Sequence, residues 1–203
     1  AGPRGVAIEA DVTIDADCVR LVEAAVQAFG RLDVLVNAAG IILRVGTLDT
    51  SDEDWRRIFA VNVDGLFYAS RAAARAMVAT GGGAIVNIAS ISGMVASANL
   101  TAYCTSKGAV IMLTRAMAID FARQNIRVNA VCPGEVDTPL LRGGGRSERL
   151  DDSAIAAIGE RLVPTGKVAD PDEIAAVIEF LASPAASYMT GTTVPVDAGY
   201  TVV

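Results

Sequence analysis

A tyrosine and a lysine stand four residues apart in the segment Tyr103-Cys104-Thr105-Ser106-Lys107. On a helix this spacing places both side chains on one face, with about 5 to 6 Å between their Cβ atoms. An ammonium group beside a phenol stabilises the phenolate, so we expect Lys107 to lower the pKa of Tyr103 from its usual value of about 10. Such a phenol can act as a general acid and base near neutral pH. The same spacing also occurs on ordinary surface helices, where the lysine is simply solvated.

The chain contains no histidine. This excludes Ser-His-Asp hydrolases, Cys-His proteases and histidine-ligated metal sites. Three cysteines, Cys18, Cys104 and Cys132, are widely spaced and form no C-x-x-C pair. We therefore expect neither a metal site nor a redox pair, and the odd number of cysteines is typical of a reducing, cytoplasmic location.

The composition indicates one globular domain over residues 1–203. Hydrophobic residues make up 52% of the 203 residues and charged residues 20%, which excludes a disordered chain. The apolar runs are too short for the roughly 18 to 20 residues of a membrane span, so we expect no membrane partner. The net charge of −6 argues against a nucleic-acid partner.

Short β-rich runs alternate with amphipathic helical patterns along the chain, which predicts a parallel sheet covered by helices on both faces. The predicted strands are residues 5–10, 34–36, 84–89, 126–131 and 193–196, and the predicted helices are about 15–29, 50–79, 101–124 and 170–182. Residues 140–163 have a glycine run and weak periodicity, so we expect a mobile loop with a short helix, a candidate substrate lid. The fold class is α/β, a doubly wound, Rossmann-like parallel sheet.

Small or polar residues follow four of the predicted strands: Asp11, Asn37-Ala38-Ala39-Gly40, Ser90 and Pro133-Gly134. Ligands of doubly wound sheets bind beyond the carboxyl ends of the strands. Each of these residues alone is also an ordinary turn residue. Together they predict one ligand crevice, and Ser90 lies thirteen residues before Tyr103.

These motifs follow the same order as in the single-domain short-chain dehydrogenase/reductases, and the chain resembles that family over essentially its whole length. The motifs are Asn37-Ala38-Ala39-Gly40, Asn62, Ser90 with Tyr103 and Lys107, Pro133-Gly134 leading to Thr138, and Tyr188-Met189-Thr190-Gly191. Two departures stand out. Ala38 replaces the second asparagine of the family's N-N-A-G turn, and the glycine-rich phosphate loop T-G-x-x-x-G-x-G has no counterpart among the 203 residues.

The resemblance implies reversible hydride transfer between NAD or NADP and a small carbonyl or alcohol substrate. It implies that Tyr103 exchanges the proton with the substrate oxygen, which Ser90 holds by a hydrogen bond. Lys107 would hold the nicotinamide ribose, and Asn62 would hold a water that passes the proton onward. The implied cofactor-binding residues are Asp11, Val12, Asn37, Ala38, Ala39, Gly40, Tyr103, Lys107, Pro133, Gly134, Val136 and Thr138.

The resemblance also implies a homotetramer. The run Val110-Ile111-Met112-Leu113 covers nearly a full turn of the Tyr103 helix, whereas a helix on a sheet needs an apolar stripe of only about 100°. We therefore expect the outer face of this helix to meet another subunit.

In the family's strand order 3-2-1-4-5-6, the strand at residues 5–10 would be the third and the strand at 34–36 the fourth. The first two strands and their helices would then be missing from the 203 residues. We expect a segment of about 45 to 60 residues, with the phosphate loop at a helix N-terminus, to complete the domain.

Three other functions stay open. A member that has lost catalysis and serves in assembly would explain the missing phosphate loop, but the intact Ser90, Tyr103 and Lys107 oppose it. A lyase or epimerase would keep the nicotinamide bound without net turnover, and its relatives usually carry a larger C-terminal domain. An enoyl reductase would space its tyrosine and lysine more widely than here.

Overall fold

Four parallel strands form a single sheet in the computed structural model, which describes residues 5–202. The strands are β1 (Val34–Asn37), β2 (Gly83–Ile88), β3 (Ile126–Pro133) and β4 (Thr193–Val196). Their order in the sheet is β1-β2-β3-β4, with Val36 beside Val86 and Val86 beside Asn129. The α/β class and the parallel sheet are confirmed. Residues 1–4 and 203 of the predicted domain lie outside the described residues.

The first and last long helices begin and end where the sequence predicts. Helix α1 (Asp15–Phe29) has two acidic residues in its first turn and ends at Gly30, whose φ of +84° is the left-handed conformation of a helix C-cap. Helix α7 (Pro171–Ala182) begins with a capping box between Asp170 and Glu173.

The helix predicted over residues 50–79 is interrupted near its middle. Ser51 caps α2 (Asp52–Phe59), a π-helical turn follows at Ala60–Asp64, and α3 (Gly65–Ala79) continues from it. A π-turn inserts an extra residue into a helix and is frequent at functional sites. Here it contains Asn62, which is buried.

The prediction of a strand at residues 5–10 is wrong, because these residues form no regular secondary structure. A strand needs a hydrogen-bonding neighbour, and among residues 5–202 no strand pairs with this segment. In the described sheet β1 is an edge strand, with Val34 38% and Val36 39% exposed.

The segment predicted as a loop with a short helix is more regular than expected. Helix α4 (Thr101–Phe121) and a 3₁₀ turn precede β3, and residues 140–163 then contain most of α5 (Pro139–Gly143) and all of α6 (Asp152–Leu162). Asp151 caps α6 by accepting a hydrogen bond from the Ala154 N–H, so eleven residues are helical there despite the weak apolar periodicity.

Helices pack on both faces of the sheet. On one face α1, α3 and α4 cover a core around Met77, Ile85 and Val128, and on the other α7 packs through Ile174 and Leu181. These layers place the ends of β2 and β3 next to the first turns of α4. None of the helices described within residues 5–202 combines the length and the apolar character needed to cross a bilayer.

Candidate active site

Tyr103 and Lys107 lie one turn apart on α4, as the spacing predicts, and both side chains are buried. The Lys107 Nζ is 5.8 Å from the centroid of the Tyr103 ring. It donates a hydrogen bond of 2.8 Å to the backbone carbonyl of Ile88, at the end of β2. The pair therefore faces the carboxyl end of the sheet, where α/β proteins bind ligands.

The predicted lowering of the Tyr103 pKa by Lys107 is wrong. Burial raises the pKa of Tyr103 above 10, and the neighbouring Ser90 and Arg44 side chains lower it by less than burial raises it. Burial also lowers the pKa of Lys107 from 10.5 to about 8. Desolvation disfavours the charged form of each group, and it outweighs any attraction that the two charges exert across this distance.

Ser90 is held next to α4 by the backbone that follows it. It caps a 3₁₀ turn over Ile91–Gly93, and its Oγ accepts a hydrogen bond of 3.1 Å from the Ser92 N–H. A Cβ on Gly93 would lie 2.7 Å from the backbone carbon and oxygen of Lys107. Only glycine permits this close approach, which fixes the Ser90 turn against the helix that carries Tyr103.

Asn62 connects the π-turn to the loop after β1 and to α4. Its Oδ1 accepts from the Ile41 N–H at 2.9 Å, and its Nδ2 donates to the Ile41 carbonyl and to the Ser106 Oγ, each at 3.0 Å. A Cβ on Gly40 would lie 3.4 Å from Asn62 Oδ1 and 3.6 Å from Lys107 Nζ. Gly40, Asn62 and Lys107 therefore form one packed group.

A cavity of about 440 Å³ opens in front of Tyr103. Nine of the predicted site residues line it: Ala38, Gly40, Ser90, Tyr103, Lys107, Pro133, Gly134, Val136 and Thr138. The ends of β1, β2 and β3 thus meet in one crevice, as the strand-end pattern predicts.

Five predicted site residues do not line this cavity: Asp11, Val12, Asn37, Ala39 and Asn62. The Asn37 Nδ2 donates to Ser70 Oγ and Asn87 Oδ1, so its side chain bridges β1, β2 and α3. The Asp11 carboxylate accepts from the Thr13 backbone and hydroxyl, and Val12 packs against Gly65 of α3. The cofactor contacts of these residues stay predictions.

Two charged residues of the cavity, Arg44 and Glu135, were missed by the sequence analysis. Glu135 directly follows Pro133-Gly134, so its position beyond a strand end was the available signal. Arg44 lies in an irregular segment after β1, and no pattern marked it. Burial raises the pKa of Glu135 and lowers the pKa of Arg44. The charge of each residue opposes these shifts, because Arg44 lowers the pKa of Glu135 and Glu135 raises the pKa of Arg44.

The carboxylates and thiols of the described residues are too dispersed to bind a metal ion together. Among residues 5–202, no three carboxylate or thiol groups come together to hold a metal ion. Cys18, Cys104 and Cys132 are free thiols.

The family model that matches the chain is described as enoyl-(acyl carrier protein) reductase and covers residues 1–201. The galactitol 2-dehydrogenase (L-tagatose-forming) of Cereibacter sphaeroides is 46% identical over 96% of this chain and 75% of its own length. A short-chain type dehydrogenase/reductase from Mycobacterium marinum is 37% identical with a TM-score of 0.89, over 98% of this chain and 76% of that one. A gluconate 5-dehydrogenase from Burkholderia cenocepacia, solved with NADP and tartrate, is 35% identical with a TM-score of 0.86, over 95% and 74%.

Proposed function

The chain belongs to the short-chain dehydrogenase/reductase family, and we propose that Tyr103 is the general acid and base with which it interconverts a secondary alcohol and the corresponding ketone. The protein is an NAD(P)-dependent oxidoreductase that acts on alcohols. The observation that carries the assignment of Tyr103 is its burial at the wall of the cavity beside Ser90 and one turn from Lys107.

Proton transfer falls to Tyr103, because its phenol borders the cavity and the chain contains no histidine. In the direction of reduction the phenol donates its proton to the carbonyl oxygen, and in the direction of oxidation the phenolate takes the hydroxyl proton. The Ser90 hydroxyl lies beside the phenol and donates a hydrogen bond to the same substrate oxygen. The nicotinamide, when bound, supplies or accepts the hydride at the adjacent carbon.

Tyr103 stays protonated at neutral pH, since burial raises its pKa. Reduction therefore starts from the correct protonation state, whereas oxidation needs a further positive charge or a more alkaline solution to form the phenolate. Lys107 is a cation of the cavity wall, and it lies one helical turn from Tyr103 on α4. Its position beside Gly40 and Asn62 supports a role in replenishing or removing the proton.

The residues of the cavity fit the nicotinamide and ribose end of the cofactor. Gly40 leaves open the space next to Lys107 Nζ, where the ammonium would hold ribose hydroxyls. Pro133, Gly134, Val136 and Thr138 would border the nicotinamide ring and its carboxamide. The first turn of α1 carries Asp15 and Asp17, so this helix N-terminus is unsuited to a pyrophosphate, and we assign no phosphate contact to it.

A homotetramer and a cytoplasmic location also belong to the proposal. On α4 Val110 and Ile111 face the core, so the apolar run contributes only Met112 to the outer surface, where it is 60% exposed. Ile119, two turns further on, is 79% exposed. Since exposed apolar residues on one helix face favour association, a monomeric mass at micromolar concentration would contradict the tetramer.

The assignment is tested by following absorbance of the reduced nicotinamide with secondary alcohols and ketones, for the complete protein and for Tyr103→Phe. We expect the complete protein to oxidise alcohols or reduce ketones, and Tyr103→Phe to lose this activity. An assembly protein without catalysis would give no turnover in either form. An enoyl reductase would oxidise the reduced cofactor only with an α,β-unsaturated thioester, and the four-residue spacing of Tyr103 and Lys107 disfavours that outcome.

A further inference from the structure

The cavity contains a carboxylate that the proton-transfer machinery does not use. Glu135 lies at its wall and is half-buried, and its carboxylate oxygens stay open to the solvent of the cavity, since no buried side-chain oxygen within residues 5–202 lacks a hydrogen-bond partner. Its backbone is fixed, because its carbonyl accepts from the Ala169 N–H at 2.9 Å and the next residue, Val136, bridges to Ala169. A carboxylate that is open to the cavity can accept hydrogen bonds from a bound ligand.

A guanidinium of opposite charge lies in the same cavity. Arg44 Nε donates to the carbonyl of Gly144 at 3.0 Å, which attaches this side chain to the segment 140–163. The Arg44 and Glu135 charges influence each other and both act on the Tyr103 phenol. Among the described residues, however, they form no ion pair within 4.0 Å. Their separate anchors leave both charges available to one bound molecule.

The Arg44 side chain is attached to a different part of the chain from Glu135. A Cβ on Gly144 would lie 2.6 Å from Ile42 Cγ2, and one on Gly145 would lie 3.3 Å from the Arg44 backbone nitrogen. The chain around Arg44 is thus packed directly against the segment that holds its guanidinium. Glu135 belongs to a different segment, whose backbone pairs with Ala169, so the two charges are held by separate parts of the cavity wall.

We propose that Glu135 and Arg44 form a subsite for a second hydroxyl group, so that the preferred substrate is a neutral diol or polyol rather than a simple secondary alcohol. This inference rests on the proposed function. A hydroxyl group donates to a carboxylate and accepts from a guanidinium, so it satisfies both partners at once. Since Arg44, Glu135 and Tyr103 line the same cavity, the second hydroxyl belongs to the molecule whose reacting oxygen meets Tyr103.

Other substrates match this pair less well. An apolar alcohol would remove water from both charges without replacing its hydrogen bonds. A cationic substrate would pair with Glu135 but be repelled by Arg44, and an anionic one would pair with Arg44 but be repelled by Glu135, so neither satisfies both groups. A zwitterion would meet both charges but needs its ammonium and carboxylate at the matching positions.

Four substrates with four carbons separate the neutral diol from the apolar, anionic and zwitterionic cases: 2,3-butanediol, 2-butanol, 3-hydroxybutanoate and threonine. With the complete protein and its cofactor, we expect kcat/KM for the diol to exceed that for 2-butanol by about 10- to 100-fold, the usual effect of a hydrogen bond to a charged group. Equal values for these two alcohols would overturn the subsite. A tenfold preference for 3-hydroxybutanoate or threonine over the diol would overturn the neutral substrate.

Substitutions of Glu135 test whether this residue causes the preference for the diol over 2-butanol. The ratio of diol to 2-butanol kcat/KM is expected to fall about tenfold in Glu135→Leu and less in Glu135→Gln, because the amide oxygen still accepts a hydrogen bond. Glu179→Gln, an exposed change on α7, is the matched control and should leave the ratio as in the wild type. An unchanged ratio in Glu135→Gln and Glu135→Leu would contradict the role of this carboxylate.

Different results would contradict the diol subsite and the role of Tyr103. Turnover of alcohols without any diol preference would remove the subsite and leave Tyr103 as the general acid and base. Absence of turnover with every alcohol would remove both. If Glu135→Leu does not fold, Glu135→Ala, which also removes the acceptor, decides the question: an unchanged ratio there would overturn the subsite.

Discussion

Asn62 of the π-turn and Ser106 of α4 are joined by a hydrogen bond of 3.0 Å from Nδ2 to Oγ. The Ser106 hydroxyl in turn donates to the Tyr103 carbonyl at 2.8 Å. This chain of bonds connects a helical irregularity to the backbone of the proton donor. The π-turn therefore has a positional role, because it directs Asn62 toward both the loop after β1 and the first turns of α4.

Replacing Asn62 by alanine removes this connection. The partly buried Ile41 amide and carbonyl lose their partner, the buried Ser106 hydroxyl loses one of its two, and each unsatisfied group costs about 1 to 3 kcal/mol. We expect Asn62→Ala to lower the free energy of unfolding by at least about 2 kcal/mol, measured by urea denaturation. Gln124→Ala, at an exposed position, is the control. A loss of stability as small as that of the control would contradict this role of Asn62.

Tyr103→Phe separates proton transfer from stability. The phenol hydroxyl borders the cavity, so its removal leaves the packing of the ring intact and changes the unfolding midpoint little. Loss of a general acid typically lowers kcat by at least about 100-fold. Tyr188→Phe removes a hydroxyl from a fully exposed side chain and should leave kcat as in the wild type. Activity of Tyr103→Phe within a factor of a few of the wild type would refute its role.

Gly93→Ala tests the contact that fixes the Ser90 turn. The added methyl would come within 2.7 Å of the Lys107 backbone, so the turn must move away from α4. We expect kcat to fall by about 10-fold or more, since a displacement of about 1 Å of a positioning group costs up to 100-fold. Gly143→Ala adds the same methyl to open space and serves as the control. Equal activity of the two variants would show that the close approach is unimportant.

The chain's periodicity predicted most of the fold, whereas the site depended on tertiary contacts. Cap residues such as Ser51 and Asp170 act locally, so the helix starts near them were predictable. The strand at residues 5–10 failed because pairing depends on a neighbour that local pattern does not show. The family motifs predicted nine residues of the cavity wall. Arg44 was not predicted, because its position in the cavity depends on the packing of its segment against Gly144 and Gly145 and not on any sequence spacing.

The pKa of Tyr103 shows a further limit of the sequence. The four-residue spacing predicted the shared helix face, but the sign of the pKa shift depends on burial, which raises it. Burial of a residue on a helix face is decided by the elements that pack over it.

Residues 140–163 remain the candidate lid. Leu140 and Leu141 line the cavity, and Arg142 connects α5 to α6 through ion pairs of its guanidinium with Asp137 and Asp152. Since both leucines face the substrate space, bound ligands should reduce local opening of this segment. We expect slower hydrogen exchange of these amides with cofactor and substrate together than without them. Equal exchange in the two states would count against a lid.

Lys107→Met tests the cost of the buried ammonium. Because the pKa of Lys107 falls from 10.5 in the unfolded chain to about 8 in the folded protein, the unfolded state binds more protons between these values. The free energy of unfolding should therefore rise with pH across this window, by as much as about 3 kcal/mol, and the rise should be complete above 10.5. Below pH 8 this gain is absent, since both states are protonated.

The difference in stability between the wild type and Lys107→Met reports the Lys107 charge together with its effect on the neighbouring Cys132. Burial raises the pKa of Cys132 from 9.0 to about 11, so the folded state holds the thiol proton more tightly and this group lowers stability as pH rises through that range. Lys107→Met lacks the rise due to the ammonium, and because the Lys107 charge lowers the pKa of Cys132, the variant loses stability through this thiol at least as steeply as the wild type. We expect the stability of the wild type relative to Lys107→Met, measured by urea denaturation from pH 7 to 10.5, to increase steadily above pH 8. A constant difference over this range would show that Lys107 keeps an ordinary pKa in the folded protein.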